Sequence, residues 1–277
     1  MVLSTLIGAA AGALIGIAVQ TVPNMAGPST LELYRLDCGS IEVKNLDEFS
    51  DTYLYVGQSR TLTVSCYLVR DGDQILIWDT GLDGDLVGNP RGDGGYMNRL
   101  EARLEPQLAQ LGVTPEDITF VGLSHYHFDH IGQAAAFPGA TLLMGARDYA
   151  VAAAWPPAKE RLAPWVSGGG RVERIEGDHD VFGDGRVTVL ALPGHTEGHQ
   201  ALLVRLASGP VLLSGDLYHF AEQIGNRGVP SFNTSRSETL ASMDRFDRIA
   251  ERLGATVVIQ HEPADIDRLP PFPHPAR

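Results

Sequence analysis

Between Ser124 and His130 the chain reads Ser-His-Tyr-His-Phe-Asp-His, which puts four metal-competent side chains (His125, His127, Asp129 and His130) within six positions. At the end of an apolar run such a cluster is costly without a cation, because neighbouring imidazoles compete for protons and Asp129 needs a counter-charge. In an extended segment His125, His127 and Asp129 alternate onto one face, and a turn there lets Asp129 and His130 reach a second ion. Three later apolar runs each end in another competent residue. Residues 187–192 lead into Pro193-Gly194-His195, 211–213 into Ser214-Gly215-Asp216, and 256–260 into His261. Taken singly, each reads as a satisfied polar loop residue; jointly with the first cluster they describe a pocket built on the ends of a sheet. Five histidines and two aspartates form a nitrogen–oxygen donor set suited to zinc, manganese or iron and not to a thiolate-bound metal.

The elements that must carry these residues are short strands alternating with helices, without an internal repeat. Residues 31–36, 62–69, 74–78, 118–123, 140–144, 187–192, 201–206, 211–213 and 256–260 read as strands from their apolar and β-branched content. Asp71-Gly72 is a hairpin signal, and 83–95, rich in Gly and Asp, reads as a loop. Residues 97–111 carry helical spacing through Leu100, Leu104, Leu108 and Leu111, stopped by Gly112. Residues 237–253 form a second amphipathic helix through Leu240, Met243, Ile249 and Leu253, ended by Gly254. Two successive halves of this kind point to two sheets between helical layers.

A chain of 277 residues, 44% apolar and 20% charged, is long enough to bury a substantial core. Its net charge of −13 disfavours a nucleic-acid partner, which needs clustered Lys and Arg. Cys38 and Cys66 have neither metal-site spacing nor enough company for a disulfide framework. Cys66 lies in an apolar run and reads as a buried thiol, with a single bridge to Cys38 left open. Residues 1–31 contain no charged side chain, and 2–19 are almost entirely apolar or small. That length suits a signal-peptide core or a membrane anchor, whereas the missing basic start and cleavage site suit a packed helix equally. Export to the periplasm, anchoring and a cytoplasmic location therefore all stay open. Pro23, Gly27 and Pro28 form a linker, so 1–28 is set apart from a globular domain at 29–277.

The order His-x-His-x-Asp-His, Pro-Gly-His-Thr-x-Gly-His, Gly-Asp and a late His resembles the metallo-β-lactamase superfamily. Trp78-Asp79-Thr80-Gly81 resembles the Asp-Thr-Gly that ends an early strand there, so the likeness runs from about Leu31 to the C-terminus. The resemblance implies an α/β fold, a four-layer αβ/βα sandwich of two mixed β-sheets flanked by helices. The forms Ser-His-x-His-Phe-Asp-His and Leu192-Pro-Gly-His-Thr-Glu-Gly-His-Gln200 are most similar to the N-acyl homoserine lactone lactonases. By that likeness His125, His127 and His195 hold one zinc ion, Asp129, His130 and His261 hold a second, and Asp216 bridges them. Manganese, iron or cobalt are the implied substitutes. His199 and Asp79 are then supports for the ligands, and Ser124 reads as a turn residue.

Departures from neighbouring families prune the choices. Zinc β-lactamases usually lack the bridging carboxylate that Asp216 implies, and flavodiiron proteins place Glu where this chain has His127. Glyoxalase II-type thioesterases and methyl-parathion-hydrolase-like phosphotriesterases share all seven ligands and stay as alternatives, as does a metal-binding or sensing protein without turnover. Two ions about 3.5–4 Å apart generate hydroxide from a bridging water and polarise a substrate carbonyl, and Asp129 is placed to carry a proton to the leaving alkoxide. In the lactonases a tyrosine three residues after the bridging Asp faces the substrate oxygen. Here His219 holds that position and Tyr218 precedes it. An extended segment turns the two to opposite faces, so one lines the site, and His219 is favoured. Tyr96, Met97, Trp155, Trp165, Phe220 and Phe232 join them as candidate pocket walls for a small apolar ester or lactone. A homodimer is compatible with the sequence. Deleting residues 1–27 is expected to leave hydrolysis intact, since no candidate ligand lies there; a truncated chain that fails to fold would instead identify the segment as a packed helix.

Overall fold

Strands β1 (Glu32–Val43) and β2 (Arg60–Asp71) pair antiparallel from Glu32 opposite Arg70 to Val43 opposite Arg60, with a bulge between Asp37 and Ser40. A tight turn through Gly72, at φ +59°, returns the chain into β3 (Gln74–Trp78). The computed structural model describes residues 31–277, so the N-terminal segment read above lies outside the described residues. Strands β4 (Arg91–Gly92), β5 (Tyr96–Arg99), β6 (Phe120–Leu123), β7 (Thr141–Gly145) and β8 (Val172–Ile175) complete an eight-stranded sheet ordered β4-β5-β1-β2-β3-β6-β7-β8. Strands β9 (His179–Asp180), β10 (Val187–Ala191), β11 (Gln200–Leu206), β12 (Gly209–Leu213) and β13 (Thr256–Val258) form the second sheet, with β12 and β13 parallel.

Three apolar clusters explain the layering. Tyr67, Val69, Leu76 and Trp78 from the large sheet meet Val189, Leu202, Val204 and Leu213 from the small one, and this contact seals the two sheets face to face. Leu62, Val64, Cys66 and Leu68, on the other face of β2, pack under α1 (Leu104–Gln110) and a helical stretch made of α3 (Ala146–Ala154), α4 (Pro156–Arg161) and α5 (Ala163–Val166). Covered on both sides, β2 is buried without a break from Leu62 to Val69, and its two polar residues there, Thr63 and Ser65, accept hydrogen bonds from the Arg35 guanidinium. The outer face of the small sheet is covered by α7 (Arg236–Leu253), through Met243 and Phe246. Ser235 caps that helix by accepting from the Glu238 N–H, and Gly254 ends it at φ +59°. The expected four-layer sandwich of two mixed sheets is the observed architecture.

Several local expectations fail for identifiable reasons. The helix read over 97–111 shrinks to α1, because Tyr96–Arg99 pairs with Ser40–Val43 and its backbone is committed to the sheet. The loop read over 83–95 contains β4, which closes a short hairpin onto β5. The helices over residues 146–166 had no clean apolar period, being short and broken by Pro156, Pro157 and Pro164. Cys66 is not a free thiol: it forms a disulfide with Cys38 across β1 and β2, the Cα atoms 5.8 Å apart. Strand register, invisible in the 28-residue sequence separation, brings the two together. Chain-entropy arguments assign such a bridge about 2–4 kcal/mol. Cys66→Ala is therefore expected to lower unfolding free energy by that order in a denaturant titration, with reductant shifting the wild type and not the variant.

Candidate metal centre

The chain leaves β6 at Leu123 and turns at Ser124, so the sequence after it sits at the sheet end. The extended alternation expected for 125–129 stops at His127, because α2 (Phe128–Ile131) begins there as a single helical turn. His125 and His127 thus point one way while Asp129 and His130 are carried by the turn to a neighbouring spot. His195 arrives from the loop after β10, Asp216 from the short 3₁₀ turn after β12, and His261 from the segment after β13. All seven candidate ligands converge in two groups: His125, His127 and His195 with Asp216, and Asp129 with His130 and His261, the donor atoms of each group within 4.8 Å of one another.

Asp216 sits between the groups. Its Oδ2 lies 3.7 Å from His125 Nε2 and 3.5 Å from His195 Nε2, while Oδ1 lies 3.3 Å from His130 Nε2 and 3.1 Å from His261 Nε2. Four of the imidazoles have their outer nitrogen held by the protein. His195 Nδ1–H donates to Asn233 Oδ1 at 2.9 Å, His261 Nδ1–H to the Thr63 carbonyl at 2.8 Å, and His130 Nδ1–H to Asp79 Oδ2 at 2.9 Å. The Ser124 hydroxyl donates to Asp79 Oδ2 at 2.9 Å, and so accepts from His125 Nδ1–H at 3.0 Å. With the outer nitrogen protonated, the inner one presents a lone pair. Those of His125, His127 and His195 face each other at 2.9–3.1 Å, and His130 Nε2 and Asp216 Oδ1 are buried with no hydrogen-bond partner. This donor set fits a cation.

Burial holds His125, His127 and His195 below the usual imidazole range, so these rings are neutral. At His130 burial also disfavours charge, but the carboxylates of Asp216, Asp129 and Asp79 outweigh it and raise the pKa well above that range. A positive ion held by Asp129, His130 and His261 would supply the charge that this proton otherwise provides.

Asp79 was expected to support the ligands, and it does so from a φ of +58°, uncommon for a residue with a Cβ. Its carboxylate accepts from the Ser124 N–H at 2.7 Å, the Ser124 hydroxyl and His130. Thr80 completes the grip by donating its N–H to the His130 carbonyl at 2.7 Å. Ser124 is therefore more than the turn residue it resembled in sequence. His199 is turned away from both groups: its Nδ1–H donates to the Leu192 carbonyl at 2.9 Å and its Nε2 accepts from the Asp216 N–H at 3.0 Å.

His219 reaches the site, with Nε2 3.2 Å from Asp216 Oδ2. Tyr218 does not, and its candidacy as a proton donor is overturned. The backbone at Tyr218 is extended (φ −130°, ψ 137°), so the two side chains take opposite faces, and the Tyr218 hydroxyl donates to Asp247 Oδ1 at 2.9 Å beneath α7. Of the other wall candidates, Tyr96 and Phe232 line the cavity of about 600 Å³ that opens onto both groups. Met97, Trp155 and Phe220 are not among its lining residues, and Trp165 is core, its indole N–H donating to the Ala140 carbonyl at 2.9 Å.

Residues 60–261 match the family model of the metallo-beta-lactamase superfamily. The chain belongs to that superfamily. It is a metal-dependent hydrolase of the metallo-beta-lactamase fold. N-acyl homoserine lactonase AttM of Agrobacterium fabrum is 32% identical over 271 residues, covering 87% of this chain and 98% of the relative. AttM of Azorhizobium caulinodans is 30% identical over 259 residues, covering 84% and 94%. Among solved structures, an N-acyl homoserine lactone hydrolase with the product N-hexanoyl-L-homoserine bound at its catalytic metal centre shares the fold, with a TM-score of 0.76 at 24% identity, over 88% of this chain and 98% of that one.

Two supports of this metallo-beta-lactamase site had no signal in the sequence, because each lies far along the chain from what it holds. Asn233 is one. Asp148, fully buried at the start of α3, is the other: it accepts from the Thr196 hydroxyl and the Gly198 N–H, both at 2.6 Å, and so fixes the loop that presents His195. Burial pushes the Asp148 carboxyl up from 3.8 to about 7, against the pull of those two donors. A folded-state pKa above the unfolded one makes its contribution to stability largest below pH 3.8, and that contribution is lost as pH rises through about 7. Between pH of about 5 and about 8 the Tm of the wild type is expected to fall relative to that of Asp148→Asn, which carries no titrating group there. Parallel Tm curves would remove Asp148 from the pH dependence.

Proposed function

We propose that this chain opens the ester ring of N-acyl homoserine lactones with two zinc ions as its cofactor. The observation that carries the reading is the placement of Asp216, one oxygen toward each ligand group, in a chain 32% identical to a curated lactonase over nearly its whole length. Two ions in such a site supply an activated water and a Lewis acid for the carbonyl. His125, His127, His195 and Asp216 would hold one, and Asp129, His130 and His261 the other, with Asp216 shared.

The remaining chemistry belongs to the chain itself. Asp129 lines the cavity beside the second group, with Oδ2 3.5 Å from His261 Nε2, and is placed to take a proton and return it to the leaving alkoxide. His219 stands on the first group's side and can donate a hydrogen bond to the ring oxygen that gains charge. Phe49 and Phe232 pack edge-on against its ring, with centroids 5.2 and 5.8 Å away, which fixes its orientation and makes that wall apolar. An apolar wall beside a water-activating site suits an acyl ester. The Cys38–Cys66 bridge supports export, since such bridges persist in oxidising compartments.

Zinc-loaded protein assayed on a panel of lactone, phosphotriester, thioester and β-lactam is expected to turn over the lactone best, carry about two ions per chain, and lose activity on chelation. Asp216→Ala should bring metal content below one ion per chain, because both groups lose an oxygen. His219→Ala should keep the metal and lose about a hundredfold in kcat, whereas Tyr218→Phe should leave kcat unchanged. Full activity without bound metal would overturn the proposal, and a phosphotriester or thioester preferred over every lactone would replace the substrate.

A further inference from the structure

Beyond the ligand groups, the cavity floor is a lateral row across the large sheet. Leu62 on β2 stands opposite Ile41 on β1, Ile41 opposite Asn98 on β5, and Asn98 opposite Arg91 on β4. Residues directly opposite one another in paired strands project to the same face, and all four line the cavity. The row starts at the metal side, because Thr63, next to Leu62, holds His261 through its carbonyl. Neighbouring strands lie about 4.8 Å apart, so Asn98 stands two steps, about 10 Å, from Leu62.

Polarity changes along the row. Leu62 and Ile41 are apolar and buried. Asn98 carries a carboxamide whose Oδ1 is buried without a hydrogen-bond partner. Tyr96, on the same face two residues earlier, offers it nothing, since the Tyr96 hydroxyl is turned to Glu48. A buried amide oxygen without a partner is disfavoured, and in a ligand cavity the ligand is the natural partner.

We propose that Asn98 is a specificity-determining residue that hydrogen-bonds an oxygen on the acyl chain, so that the cavity takes N-acyl lactones bearing an oxo or hydroxyl group near the head of that chain. The inference rests on the lactonase reading above. A ring held at the ligand groups, with its chain extended along the row, lays the first atoms over Leu62 and Ile41. The next hydrogen-bonding substituent then meets Asn98. A carboxamide serves either substituent, donating to an oxo or hydroxyl oxygen through Nδ2 and accepting from a hydroxyl through Oδ1. An unsubstituted chain leaves the buried Oδ1 unpaired, which is the arrangement by which polar sites discriminate most strongly.

The test compares kcat/KM for homoserine lactones of one chain length, unsubstituted or with oxo or hydroxyl on the third acyl carbon. Zinc-loaded wild type, Asn98→Leu and Asn98→Ala are measured, the last because it removes the amide without adding bulk. The wild type is expected to favour the oxygenated chains by about tenfold or more, and both variants to bring that ratio to about one. A wild-type ratio near one, or a preference that survives in the variants, overturns the role of Asn98 and leaves lactone hydrolysis standing. Inactivity of the wild type on all the lactones overturns both readings, and is told apart by the absence of any turnover.

Discussion

Imidazole lone pairs that face one another in a buried space repel unless something positive lies between them. Here three inner nitrogens stand 2.9–3.1 Å apart. Four of the five imidazoles are held from behind by an amide, a carbonyl, a carboxylate or a hydroxyl, so those rings cannot flip to escape the contact. Two carboxylates, Asp129 and Asp216, add negative charge to the same buried volume. Breaking up such a cluster is easy for a loose loop and hard for a rigid one. Much of the structure around the site serves to keep it rigid.

Rigidity comes from drawing the supports out of separate elements. Asp79 follows β3, Thr63 belongs to β2, Asn233 precedes α7, and Asp148 opens α3. These positions are brought close only when both sheets are stacked, and the packing of Trp78 and Tyr67 against Leu202 and Val204 does the stacking. Site geometry is thus a property of the inter-sheet core as much as of the ligand loops. The positive φ at Asp79 belongs to the same scheme, since that backbone conformation lets one carboxylate serve Ser124 and His130 together.

Legibility in the sequence followed the range of the interaction. The dense segment from His125 to His130 and the three strand ends carrying His195, Asp216 and His261 were readable because chemistry and local pattern coincide there. That only one of Tyr218 and His219 can face the ligand groups was also readable, since it turns on the two-residue period of an extended segment. Contacts between distant parts of the chain were not. Asn233, Asp148 and the Cys38–Cys66 bridge depend on register and sheet stacking, which leave no local trace. The short edge strands failed for a related reason: Tyr96–Arg99 has helix-compatible residues and becomes a strand only because β1 offers it a partner.

The hairpin of β4 and β5 closes one side of the cavity from the far edge of the large sheet, joined to the rest by four residue pairs with β1. None of the seven candidate ligands lies on it. The candidate ligands and this side of the cavity are thereby carried on separate pieces of chain. Substitutions in the hairpin can therefore reshape that side of the cavity while the seven candidate ligands keep their geometry, a modularity that leaves the shape of the pocket free to change independently of the centre beneath it.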